Sequence, residues 1–441
     1  MMLSICMTCL GCNTKDNIFG SDWVQQSDPN YMSAPGQIIV YNDETLPKVA
    51  LPTREPAQLE NLSPPWVQMG MDTGEPGVMY SAALSGYFLL RMQQEDGSYK
   101  YEYRPDTGEF FWQDVIHRQV GPGYAAALLY EELGRVEFRL SAERVFEYAI
   151  PRLQTIGLGN ATEDTRYRLT DIGATSILIF GLSRLVRSTS DADSKWHEYL
   201  RGLGRHLLQL QNADGSFQEG SPLARGQAIQ ALAHLWLTYQ EQDYLTALQK
   251  TAKYSCDSWE AIDREYLPYF ILYANEALAT LYSATSDSYL PGCVYDMTEV
   301  NMEDQYLADD TANVRWIGGF NKSANWTPSW SASLKLEAIA DALVIARLAN
   351  DREYEDLYEE RIRLGVPFVQ RFQWRIGETA SWPNPDVVLG GFPYLAEGSG
   401  GDLAWPLSRT DLSWHGTAFL VKAARVLGDE YWPNRPEKAS D

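Results

Sequence analysis

Six segments of this chain are apolar on nearly every face of the helix they would form. In chain order they read VGPGYAAALLY, DIGATSILIFGLSRL, ARGQAIQALAHLW, YLPYFILYANEALATLY, PSWSASLKLEAIADALVIARL and DLSWHGTAFLVKAARVL. A helix with no polar face has to be covered on all sides, so each is expected inside a larger helical assembly. Between them lie segments with one charged face, VEFRLSAERVFEYAIPRLQ, KWHEYLRGLGRHLLQLQ, YLTALQKTAKYSCDSW and YEDLYEERIRLGVPFVQRFQ, which suit an outer layer with one wet side. Six inner helices alternating with about six outer ones predict an all-α fold, an (α/α)6 toroid of about six helical hairpins. One hairpin is irregular. From Ser283 to Trp330 the helical period is poor and turn formers are many, so either a loop replaces an outer helix there or a short helix hides in it.

The punctuation repeats as well. Gln93 to Tyr99 (QQEDGSY) and Gln211 to Phe217 (QNADGSF) share the pattern Gln-x-x-Asp-Gly-Ser-aromatic, in which Asp-Gly supplies a tight turn with positive φ. Gln154 and Gln373 end two further helical segments without the Asp-Gly-Ser. These four glutamines are spaced 61, 57 and 162 residues apart, the last close to three times the others, as expected for a repeating helix pair.

Hydrophobic residues make up 45% of the 441, enough for a large core, yet no apolar run approaches the roughly 18 residues of a membrane span. The toroid is expected over residues 76–441, preceded by a Pro-, Asn- and Asp-rich tether and wrapping segment at 13–75. Residues 1–12, MMLSICMTCLGC, resemble the end of a lipoprotein signal with Cys12 as the lipidated residue. That reading implies export with a lipid anchor, the only membrane association expected; the alternative is a cytoplasmic protein. In an oxidising compartment Cys256 and Cys293 could pair. The formal net charge of −23 argues against nucleic acid and anionic membrane surfaces as partners. Five histidines without metal-ligand spacing point away from a zinc site, and neither a metal nor a cofactor is expected. Nothing in the sequence sets the oligomeric state.

If the inner helices run the same way, their N-termini converge on one mouth, where helix dipoles add positive potential. Collecting the residues at these starts gives a candidate site. Asp171, Glu265, Tyr266, Asp411 and His415 are the candidate acid/base groups. Arg225, Gln227, Tyr269, Trp326, Trp330, Arg409, Trp414 and, from the irregular loop, Trp316 are the candidate ligand-binding groups. Aromatic walls with carboxylates and arginines suit a carbohydrate or another small polar ligand. Each has a structural alternative: Asp171 as an N-cap, the tryptophans as packing, His415 as a core histidine, and Arg225 as the centre of a salt-bridge network with Asp171, Glu265 or Asp411.

The Gln-x-x-Asp-Gly-Ser-aromatic turns resemble the repeat motif of terpenoid cyclases. The hairpin pattern resembles the α/α-toroid families at large, which include six-hairpin glycosidases, lanthionine-forming cyclases and glucuronyl C5-epimerases. The closest local likeness, over Ser221 to Tyr282, is to the C-terminal domain of glucuronyl C5-epimerases, where ARGQAIQALAHLW and Glu265-Tyr266 resemble the starts of two inner helices. That resemblance implies Tyr266 as an acid/base and Glu265 as its partner; a second tyrosine would follow Asp411, where this chain has Leu412. The function these observations imply is a carbohydrate-active enzyme acting on an oligo- or polysaccharide as glycosidase, lyase or epimerase. An exported, non-catalytic glycan- or protein-binding toroid and a terpenoid cyclase-like protein are the alternatives. Proton removal beside a uronate carboxylate would need a cation such as Arg225 or Arg409, and Tyr266 and His415 to move the proton. Hydrolysis would need two carboxylates, drawn from Asp171, Glu265, Asp309 and Asp411.

Overall fold

The computed structural model describes residues 77–112, 116–154, 167–168, 172–189, 194–217, 220–322, 331–375, 382, 384–393 and 408–428. The N-terminal segments 1–12 and 13–75 lie outside the described residues, as do Asp171, Trp326 and Trp330. Twelve long helices follow one another in the described chain. They are α1 (Val78–Met92), α2 (Ile116–Leu133), α3 (Val136–Ala149), α4 (Ile172–Ser188), α5 (Ser194–Leu210), α6 (Pro222–Tyr239), α7 (Gln242–Ser258), α8 (Leu267–Thr285), α9 (Tyr289–Met302), α10 (Ser331–Ala349), α11 (Arg352–Phe372) and α12 (Thr410–Leu427). A single helical turn, Pro385–Val388, lies between the last two.

The even-numbered helices form a closed inner ring, each packed on the next and α12 on α2. All six are the segments whose apolar character runs round the helix. The odd-numbered helices form the outer layer: α3 packs on α2, α5 on α4, α7 on α6, α11 on α10, and α9 against both α8 and α10. The first helix, α1, packs on the last, α12, so the two ends of the described chain close the toroid. The (α/α)6 reading of the sequence is therefore the architecture. The outer helix hidden in the irregular hairpin is α9, whose first turn contains Pro291 and Gly292; two poor helix formers together mask its period.

Four glutamines fasten the outer layer with one shared geometry. At the end of α1, Gln93 Nε2 donates to Gly97 O in its own turn (3.1 Å) and to Ser141 O of α3 (2.9 Å). Gln211 after α5 donates to Ala247 O of α7 (2.8 Å). Gln305 after α9 reaches Gly318 O and Arg361 O of α11, both at 3.1 Å. Gln373 after α11 reaches Gly390 O (3.0 Å) and Ser81 O of α1 (2.8 Å), which closes the ring. Three residues beyond each helical acceptor, the turn glycine meets a second carbonyl. A Cβ on Gly97, Gly215, Gly318 or Gly390 would fall 2.0–2.3 Å from Arg144 O, Lys250 O, Leu364 O or Leu84 O, and all four glycines have positive φ. Only glycine fits there. Two of these turns are the Asp-Gly-Ser copies; the other two read Gly-Gly-Phe (Gly318–Phe320, Gly390–Phe392). Gln305 escaped the sequence reading because 14 residues rather than five separate it from its aromatic partner Phe320.

Loop lengths are lopsided. Connections from an inner to the next outer helix are two to five residues long (134–135, 189–193, 240–241, 286–288, 350–351), whereas those from outer to inner run from eight (259–266) to 37 (373–409). All the long connections therefore open at the end where the inner helices begin, the usual arrangement for a scaffold that carries its function on loops. A small sheet of order β2-β1-β5 sits among them: β1 (Glu102–Arg104) and β2 (Glu109–Phe111) form a hairpin, and β5 (Ser408–Arg409) adds antiparallel to β1 directly before α12. A two-residue parallel pair, β3 (Leu153–Gln154) with β4 (Tyr167–Arg168), follows α3. No described helix is long and apolar enough to cross a membrane.

Candidate functional site at the inner-helix mouth

The inner helices start where the sequence punctuates them. For α6, the Ser221 side chain accepts from Ala224 N (3.2 Å) and Pro222 takes the first position, a favoured N-terminal pair. Gly226 then brings α6 against α8, since a Cβ there would lie 2.9 Å from Phe270 O. Gly121 of α2 does the same for α12, its Cα facing the Trp414 indole. Small residues at these starts thus serve ring closure.

Two histidines face this mouth. His117, in the first turn of α2, has Nε2 3.1 Å from Gln227 Oε1 on α6, and the buried Gln227 lies near the Tyr273 hydroxyl of α8. His415, in the second turn of α12, is buried, with Nδ1 3.2 Å from Glu337 Oε2 on α10. Burial lowers the His415 pKa against the opposing pull of Glu337, so the ring is neutral with Glu337 accepting from Nδ1. Nε2 is left as the basic nitrogen and makes no hydrogen bond among the described residues. Burial likewise raises the Tyr273 hydroxyl far above its ordinary range, and Glu337 adds to the effect.

One turn above His415, Asp411 and Arg409 form an ion pair. Asp411 Oδ2 also accepts from the Tyr101 hydroxyl (3.0 Å) and Oδ1 from Leu412 N (2.9 Å). Burial pushes the Asp411 carboxyl up, but Arg409, Arg118 and the Tyr101 hydroxyl outweigh it and hold the pKa below the usual carboxylate value. Tyr101 is flanked by two guanidinium groups, Arg118 at 3.9 Å and Arg409 at 4.8 Å from its ring centroid.

Below the histidines the barrel axis is filled by charge. Lys422 of α12 binds Glu276 (2.8 Å), Asp341 (2.8 Å) and Glu337 (2.9 Å). Glu276 also holds His234 at 3.0 Å, Arg184 at 3.2 Å and Gln230 at 2.6 Å, and Arg184 continues to Glu131 at 2.7 Å. Burial drives His234 down to about 4. Burial also raises Asp341 to about 8, although Lys422 opposes it.

The structure gathers some of the nominated residues and separates others. Gln227, Arg409, Asp411 and His415 stand at the mouth, and Tyr269 is buried in the first turn of α8. Trp414 is 4% exposed and packs edge-on to Tyr124 at 6.0 Å, which makes it a wall of the α2–α12 contact. Glu265 is exposed and Tyr266 half-buried; neither side chain makes a hydrogen bond or ion pair among the described residues, so they do not form a partnered acid/base couple. Asp171 lies outside the described residues, and among them Arg225 makes no ion pair. Its Nε donates to Gly220 O (3.3 Å) and it lines a crevice with Phe217, Thr251 and Tyr254, directed toward the outer layer. The helical period explains the difference: Gly226 takes the position that faces α8, and Arg225 is turned away from it by one residue. Trp316 lies against Tyr306, with ring centroids 5.5 Å apart. A buried network does exist, but on Lys422, Glu276, Glu337, Asp341 and Arg184. These charges lie in the middle of segments dominated by apolar residues, where a search restricted to helix starts passes over them. His117 and Arg118 precede the apolar segment VGPGYAAALLY, which begins at Val120, and so fall outside it. Among the described residues no group of three His, Cys, Asp or Glu side chains is arranged to hold a metal ion.

No protein-family model and no curated protein matches the chain. Solved structures do. A D-mannose isomerase superposes with a TM-score of 0.56 at 12% identity, over 78% of this chain and 96% of that one. Cellobiose 2-epimerase from Bacillus thermoamylovorans gives 0.56 at 10% identity, over 79% and 99%. A GH76 α-mannanase from Bacteroides thetaiotaomicron gives 0.54 at 11% identity, over 81% and 99%. The coverage is nearly complete on their side, and the likeness establishes the fold of residues from α1 to α12 as that of the α/α toroids.

Proposed function

We propose that this protein is a carbohydrate-active enzyme that moves a proton on its sugar substrate, an isomerase, epimerase or lyase reaction at the inner-helix mouth. The observation that carries this reading is the His415–Glu337 pair: a buried neutral imidazole, oriented through Nδ1 by a carboxylate, with Nε2 left to take a proton. His117, on the neighbouring helix α2 and hydrogen-bonded to Gln227, supplies a second imidazole at the mouth. The solved structures that share the fold include, by name, an isomerase and an epimerase of sugars. Hydrolysis is less well supported, because the axial carboxylates Glu276, Glu337 and Asp341 are all held by Lys422, while Glu265 is exposed.

The Cys256–Cys293 disulfide joins α7 and α9. It supports the proposal that the protein is exported; the lipid anchor proposed on Cys12 is a separate expectation.

The test is a screen of neutral and uronic-acid saccharides in heavy water, read by mass spectrometry, with wild type and His415→Gln. Deuterium uptake or a mass change that the substitution abolishes is the expected result. Saccharide binding with neither would overturn the enzymatic reading in favour of a binding toroid.

A further inference from the structure

Arg118, in the first turn of α2, is 6% exposed, yet its guanidinium makes no hydrogen bond and no ion pair among the described residues. Its one close partner is the Tyr101 ring, 3.9 Å from the guanidinium carbon. That contact engages the flat face of the group. The N–H donors point outward in the guanidinium plane and are not used by it. A buried arginine is ordinarily paired, and the nearest carboxylate is already saturated: Asp411 accepts from Arg409 through both oxygens, from Leu412 N and from the Tyr101 hydroxyl. Around the Tyr101 ring two guanidinium groups, Arg118 and Arg409, meet the Asp411 carboxylate, which among the described residues is ion-paired only with Arg409, so the positive charge of Arg118 has no ion-pair partner there. The converging N-termini of α2 and α12 reinforce it. Asp411 precedes His415 by four residues on the same helix, which places the Arg409–Asp411 pair about one helical turn from the proposed base.

We propose that Arg118 is the anion-recognising residue of the mouth, and that the substrate is an acidic saccharide carrying a carboxylate or sulfate. This rests on the proton-transfer reading and names its substrate class. Arg118 offers two parallel N–H groups to two oxygens of the anion, a geometry shared by carboxylate and sulfate. With a uronate, the charge has a chemical use. When His415 Nε2 takes the proton from the carbon next to the carboxylate, the bonding electron pair moves onto the carboxylate as an enediolate, and Arg118 neutralises the added charge. Return of a proton from the imidazolium regenerates the saccharide.

The experiment measures binding by calorimetry to the wild-type chain, Arg118→Gln and Arg118→Lys. The probes are methyl glucuronide, glucose 6-sulfate and methyl glucoside. Wild type is expected to bind one or both anions roughly 10- to 100-fold more tightly than methyl glucoside. Arg118→Gln should erase the preference and Arg118→Lys retain part of it. A preference for the glucuronide alone identifies a carboxylate, for the sulfate alone a sulfate ester. Equal binding of all three probes by wild type, binding of neither anion, or an undiminished preference in a folded Arg118→Gln protein would overturn the inference. The wild-type comparison decides even where the glutamine variant fails to fold. Deuterium exchange by wild type on neutral saccharides with no anion preference would overturn this inference while leaving the proton-transfer reading intact.

Discussion

Lys422 Nζ stands 2.9 Å from Glu337 Oε1, while the other oxygen of the same carboxylate faces His415 at 3.2 Å. One side chain therefore joins the proposed base to the charged axis of the barrel. Glu337 is held in place from below and orients the imidazole above, so the stability of the ring and the tautomer of His415 depend on the same group.

Removing Lys422 should be costly. Lys422→Met leaves Glu276, Glu337 and Asp341 buried around an uncharged side chain, and loss of one partner of a buried ion pair typically costs about 3–5 kcal/mol. Urea denaturation should show a loss of that size at pH 7.5. It should be larger at pH 9, because Asp341, raised to about 8, is mostly protonated at pH 7.5 and adds its uncompensated charge only above that value. A loss below about 1 kcal/mol would show that the cluster is not electrostatically coupled.

Acid should weaken the fold through its buried histidines. His234 is depressed from 6.5 to about 4 by burial, so between these values the unfolded chain binds a proton that the folded chain does not. Stability is then fully present above pH 6.5 and falls as the pH drops toward 4, by an amount on the order of 3 kcal/mol from this residue. His415, also depressed, acts in the same direction. His234→Gln should flatten the slope of unfolding free energy between pH 6.5 and 4, and an unchanged slope would count against a buried neutral His234.

The close approach at the turn glycines separates from backbone strain alone. Gly318 and Gly134 both have positive φ, but a Cβ on Gly318 would meet Leu364 O at 2.0 Å, whereas nothing lies within 4 Å of one on Gly134. Gly134→Ala should cost about 1 kcal/mol, and Gly318→Ala at least about 2 kcal/mol more. Equal losses in thermal unfolding would mean that the α9–α11 turn gives way freely.

Reduction should also destabilise the chain. The Cys256–Cys293 bridge closes a loop of 37 residues, which corresponds to about 3–4 kcal/mol by chain entropy. The Cys256→Ser, Cys293→Ser double variant should lose that much, and excess reductant should affect only the wild type.

The fold was legible because its signal is distributed. Each inner helix carries a whole segment of apolar residues, so a single charge such as Glu276 or Lys422 within one does not obscure it. The site was less legible because it depends on rotation about each helix axis. Arg225 and Gln227 are two residues apart, yet one faces the outer layer and the other the barrel. Helix α2 shows the second difficulty: its N-terminus precedes the small-residue signature by several residues, which hid His117 and Arg118. Glu337 was hidden differently, since an acidic residue amid the apolar residues of α10 becomes meaningful only once the ring places it opposite His415.

The central claim is that His415, oriented by Glu337, transfers a proton. It is tested most directly by the rate of solvent deuterium incorporation into a saccharide that the wild type labels, compared across wild type, Glu337→Gln and His415→Gln, with unchanged helical circular dichroism as the control. The account predicts a loss of about 10²- to 10⁴-fold in His415→Gln, the range expected for a general acid/base, and a smaller loss in Glu337→Gln. Folded His415→Gln protein that exchanges deuterium at the wild-type rate would contradict it.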